Sequence, residues 1–82
     1  MATAQSIEDS IASALDCRHV QVAGDGQHWE AVIVSDAFEG LSKVRQHQLV
    51  YAALGERMRE EIHALSMTTL TPAQWAKAQE QD

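Results

Sequence analysis

Between Val34 and Leu65 the chain leaves a β-branched run, Val32-Ile33-Val34, breaks at Phe38-Glu39-Gly40, passes through helically spaced apolar residues and becomes extended again at Ile62-His63-Ala64-Leu65. Two strands joined through helix rather than through a tight turn return parallel to each other, because a parallel pair needs a crossover of about a dozen residues or more. Upstream, Gly24-Asp25-Gly26 separates two period-two runs and supplies the positive φ angles of a tight hairpin, so the strand entering the crossover is also the second arm of an antiparallel pair. The pattern therefore predicts a three-stranded mixed sheet. In its middle strand Trp29, Ala31 and Ile33 share one face, and His28, Glu30, Val32 and Val34 share the other. With helices on one side only, the tryptophan face is the core and His28 points away from it.

Caps and apolar spacing place the helices. Ser6 and Asp9 have the spacing of a capping box, and Ile7, Ile11, Ala14 and Leu15 follow on one side, which predicts a helix over residues 7–16. Ser42 caps the next one. Extending Leu41, Val44 and Tyr51 at helical spacing would bury Gln48 and Gly55, so the expectation is a short helix near 42–47, a bend, and a second helix over about 48–60 built on Leu49, Val50, Ala53, Leu54 and Met58. Thr71-Pro72-Ala73-Gln74 combines a cap, a proline at the first helical position and a glutamine at the third, predicting a last helix that carries Trp75. The order is α-β-β-α-α-β-α, an α+β domain. Its expected core is Trp29, Ala31, Ile33, Leu49, Val50, Ala53, Leu54 and Ile62, with Ile11 and Leu15 docking from the first helix.

Composition limits what such a domain does. With 82 residues the chain is expected to form a single domain, with its core over about 6–76. Twelve acidic against six basic residues give a net charge of −6, which works against attraction to phosphate backbones or anionic lipid. A nucleic-acid role needs a local basic patch, and Lys43 with Arg45, then Arg57 with Arg59, form the basic clusters; Glu56, Glu60 and Glu61 surround the second pair, which reads as a solvated helix face. Cys17 is the sole cysteine, so an intrachain disulfide is excluded and a reducing compartment is expected. The first ten residues carry acid where a signal peptide carries base, and no run approaches the ~20 apolar residues of a membrane span, so the expected location is the cytoplasm.

The residues of chemical interest are few. Nucleophile-elbow, phosphate-loop and His-Glu-x-x-His patterns do not occur, and the expectation is a protein that is not an enzyme. Cys17 and His19 stand two apart, but that pair lacks a second pair to complete a tetrahedral zinc site. His47, one turn before Val50, Tyr51 and Leu54, is expected to be structural, bonded at the helix bend. His28 at the hairpin exit and His63 at the start of a strand each lie near a loop without an acid or base partner in sequence, which makes them the ligand candidates.

Five ordered blocks carry a family likeness: Asp25-Gly26-Gln27-His28-Trp29, Val34-Ser35-Asp36-Ala37-Phe38-Glu39-Gly40, His47-Gln48-Leu49-Val50-Tyr51, Ile62-His63-Ala64-Leu65 and Thr71-Pro72-Ala73-Gln74-Trp75. Over about residues 6–76 the chain resembles the BolA-like family, and its short hairpin resembles the small bacterial acid-stress branch. The resemblance implies an α-β-β-α-α-β-α fold similar to the class II KH arrangement, although the Gly-x-x-Gly loop of KH modules is absent. It also implies partnership with a monothiol glutaredoxin through a shared [2Fe–2S] cluster completed by glutathione, in iron–sulfur trafficking or in iron and stress regulation. His63 matches the shared ligand of the family, and His28 is the nearest counterpart of the second. For some members the family implies DNA-linked transcription regulation, for which Lys43 and Arg45 are the candidates here. Arg45 departs from the family pattern, which writes arginine immediately before the histidine where this chain has Gln46. The expected assembly is a monomer or weak homodimer that binds no membrane.

Overall fold

The computed structural model describes residues 2–60, 62 and 64–80. Strands β1 (Cys17–Gly24) and β2 (His28–Ser35) pair antiparallel, and β3 (Ala64–Leu70) lies parallel to β2 on its other side, so the sheet is mixed with the order β1-β2-β3. At the hairpin end Gly24 stands opposite Trp29, and a Cβ there would lie 2.3 Å from the His28 carbonyl oxygen and 2.6 Å from the indole. Only glycine lets the tryptophan close over this corner. Register then sets the core face as expected: Val22 faces Ala31, Val20 faces Ile33, and Leu65 and Met67 of β3 stand beside Trp29 and Ala31.

Helix α1 (Ala4–Ala14) buries Ile7 and Ile11 against that face, and its Glu8 Oε2 accepts from the Val22 N–H at 3.0 Å on the outer edge of β1. Its cap is Thr3, not Ser6. Thr3 Oγ1 accepts from the Ser6 N–H and Ser6 Oγ accepts from the Thr3 N–H, a reciprocal pair that starts the helix earlier than expected and makes Ser6 its third residue. Ala14, expected on the buried side, is exposed.

After a 3-10 turn (Asp36–Phe38) that buries Phe38, helix α2 (Lys43–Leu54) runs unbroken through the bend expected at residue 47. The break falls at Gly55, and α3 (Arg57–Glu60) is a single turn. The difference has one cause: the buried stripe is Gln46, Val50 and Leu54, while Val44 and Tyr51 face outward. A glutamine in that stripe is tolerated because Nε2 donates to the carbonyls of Phe38 (3.1 Å) and Leu41 (3.0 Å) while Oε1 accepts from Thr69 Oγ1 at 2.6 Å. Ile62, Val22 and Phe38 complete the core, with Leu49, Met58 and Leu15 packed at its margin.

Helix α4 (Pro72–Gln79) has the predicted cap, with Thr71 and Gln74 forming the box. It does not join the other helices. By register His19 shares a face with Val34, opposite to the core, and its ring stacks on Trp75 with centroids 4.9 Å apart, so α4 lies on the reverse face near fully buried Val34. Helices on one side only was therefore wrong for the last helix, since Val34 and Leu70 give the reverse face an apolar corner that needs cover.

Candidate functional site

The hairpin turn is built by one carboxylate. Asp25 Oδ1 accepts from the N–H groups of Gln27 and His28, each at 2.9 Å, and the Asp25 N–H donates to the His28 carbonyl at 3.2 Å. These bonds, His28 first and then Gln27, hold the Asp25 carboxyl below its ordinary range, with a smaller contribution from the nearby His28 imidazole. The turn ends where β2 begins, so Asp25 also sets the backbone position of His28.

His28 is exposed and leaves the sheet on the reverse face, as the alternation predicted. It opens onto a shallow concavity of about 400 Å³ walled by Gly24 and Asp25 of the hairpin, by Glu30 of β2, and by Ala64 and Ser66 of β3. In the parallel ladder His28 is the partner of Ala64. His63 lies outside the described residues, but it is the residue immediately before Ala64, so the sheet brings together two stretches of sequence that carry the two candidate histidines.

The other candidates are not gathered here. Cys17 is half-buried at the far end of β1, its thiol pushed up by burial and then by the charge of Asp16, and the register shift between Cys17 and His19 separates that pair. His47 sits half-buried inside the continuous α2, and among the described residues no hydrogen bond reaches its imidazole, so the bonding expected at a bend is absent. Lys43 Nζ donates to the carbonyl of Thr69 and so is tied to β3. Arg45 remains exposed. Arg57 is not on a solvated face as expected: its guanidinium donates to the Ser6 carbonyl (2.8 Å), to Ser10 Oγ (2.6 Å) and to Ser6 Oγ (2.8 Å), pinning α3 to α1. In the sequence Asp25 stands out only as part of the Gly24-Asp25-Gly26 turn and the first family block, yet its place two and three residues before the N–H groups it accepts from is the signature of an Asx turn.

Residues 3–74 match the family model described as BolA-like protein. The chain belongs to the BolA-like family. It is similar to the acid stress protein IbaG of Escherichia coli, 39% identical over 72 residues that span 87% of this chain and 86% of that one. The DNA-binding transcriptional regulator BolA of Haemophilus influenzae is 41% identical over 61 residues, 74% of this chain and 58% of that protein. Among solved structures, a bolA protein homologue from Coxiella burnetii superposes with a TM-score of 0.85 at 42% identity, covering 93% of this chain and 99% of that one. The matched region includes His28, His63, Lys43 and Arg45 and ends one residue before Trp75. Among the described residues no helix is long and apolar enough to cross a membrane.

Proposed function

We propose that this BolA-like protein is a non-enzymatic adaptor that shares a [2Fe–2S] cluster with a monothiol glutaredoxin, giving His63 and His28 while the partner gives a cysteine and a glutathione thiol. The observation that supports this reading is the pairing of exposed His28, at an open concavity, with Ala64, the residue that follows His63 in the sequence. A cluster of this type takes four ligands, usually thiolates, and this chain has a single cysteine, half-buried, whose thiol is pushed up by burial and then by Asp16, so the missing thiolates belong to a partner. Held by His63 and His28, the cluster would have its potential raised by imidazole in place of thiolate. The protein's own residues do the positioning. Asp25 locks the turn that presents His28, Gly24 leaves space for Trp29 beneath it, and the shallow walls leave room for a partner's ligands to approach.

The test is a titration of cluster-loaded glutaredoxin with this protein, followed by visible absorption and circular dichroism. The spectrum should change on complex formation; His63→Ala should remove the histidine-dependent features while the apo protein keeps its fold, and His28→Ala should weaken them. An unaltered spectrum at saturating protein overturns the adaptor reading, and wild-type features in His63→Ala overturn the ligand assignment. Duplex binding, which the name of the Haemophilus relative suggests, has less behind it in this chain: Lys43 is engaged by Thr69 and the net charge is −6, so few phosphates would be neutralised.

A further inference from the structure

The outward side of α2 carries apolar residues that the core does not use. Val44 is 67% exposed and Tyr51 43%, and their seven-residue separation sets them on one side of the helix. Beside them Leu41, Arg45, Gln48 and Leu49 line a second concavity of about 270 Å³. The outer side of a surface helix is ordinarily its charged side. Here one charge, Arg45, sits in a neutral and largely apolar surround. Its helical neighbours three and four residues on are Gln48 and Leu49, Leu41 shares the concavity with it, and among the described residues no carboxylate forms an ion pair with it, although the chain has twelve acidic residues.

We propose that this face of α2 is a docking surface for an acidic amphipathic segment of a partner protein, with an apolar side chain seated in the concavity between Leu41 and Leu49 and a carboxylate on Arg45. The planar guanidinium accommodates a carboxylate through two parallel hydrogen bonds, and its apolar surround lowers the competition from water. Charge decides between occupants. A nucleic-acid backbone would gain nothing from Val44, Tyr51 and Leu41, and on this face, among the described residues, Arg45 is a single cation, too few to neutralise the run of phosphates that holds a duplex. The surface is also separate from the His28 concavity. Gln46, beside Arg45, is bonded to Thr69, five residues along β3 from Ala64, which at the rise of a strand is roughly 17 Å. The docking surface therefore stands or falls independently of cluster binding.

The probe is a labelled synthetic helix-forming peptide with leucine at i, i+3, i+4 and i+7 and glutamate elsewhere, compared with versions carrying glutamine or lysine in place of glutamate. Fluorescence anisotropy gives its affinity, and amide chemical shifts in labelled protein give its place. The glutamate peptide should bind best and shift residues 41–52; Arg45→Glu should weaken it about tenfold or more, Arg45→Lys less, and Val44→Asp about tenfold, the loss expected for one buried ion pair or apolar anchor. Both positions are exposed, so the thermal midpoint should not move. Equal binding of the lysine peptide, insensitivity to Arg45→Glu, or shifts centred elsewhere would overturn the proposal. So would Arg45-dependent binding of a short DNA duplex in place of the peptide, or an Arg45-dependent dimer by sedimentation without peptide, which would assign the face to nucleic acid or to a second copy.

Discussion

Asp25 is exposed, yet it organises the turn that carries His28, because a carboxylate accepting two backbone N–H bonds does the work of a turn hydrogen bond. Its carboxyl is held below the ordinary range when folded, so its contribution is fully present above the unfolded aspartate value of about 3.9 and is lost as pH falls through the lower folded value. Titrated by NMR, the Gln27 and His28 amide shifts should follow one transition with a midpoint below that of a free aspartate. In Asp25→Asn this transition should vanish. A midpoint at the free value would mean that the two bonds do not persist in solution. Gln46 makes a related point inside the core. Its three hydrogen bonds join the loop after the 3-10 turn, α2 and β3, so a polar residue on a buried stripe binds together segments far apart in the chain.

At the level of elements, α2 and α3 are divided by Gly55, which closes α2 at φ 56° and ψ −130°, a conformation that residues with a side chain rarely adopt. A Cβ at this position would meet nothing closer than the Ala52 carbonyl oxygen at 4.0 Å, so the cost of Gly55→Ala is one of backbone conformation alone. It should be about 1–3 kcal/mol by urea denaturation. Because α3 is a single turn held to α1 by Arg57, the loss should also show as faster amide exchange in residues 56–60. An unchanged midpoint would show that α2 continues through Gly55. The hairpin, the crossover and α4 were legible because each is written in residues close in sequence: the glycines around Asp25, the β-branched alternation, and the Thr71-Pro72 cap. The start of α1 differs from the expected one for an equally local reason, since both Thr3-Ser6 and Ser6-Asp9 have box spacing and Gln5 Nε2 donates to Asp9 Oδ1 instead.

For the molecule as a whole, α1, α2 and the tryptophan face of the sheet share one small core in which Leu54 is only 3% exposed. Leu54→Ala should cost about 2–5 kcal/mol, a large part of the stability of a domain this size, and lower the denaturation midpoint accordingly. A variant with the wild-type midpoint would put α2 on the wrong side. The sequence was enough for element order, mixed sheet and the inward face of β2, because alternation and turn chemistry act over a few residues. It was enough to put Val50 and Leu54 in the core, but not to show that one unbroken helix from Lys43 carries them. The buried stripe begins at Gln46, a polar residue whose amide nitrogen finds the nearby carbonyls of Phe38 and Leu41 but whose oxygen finds Thr69 only after β3 has docked. The same holds for α4 on the reverse face and for His28 beside Ala64: both depend on register between strands distant in the chain, and no local preference encodes that.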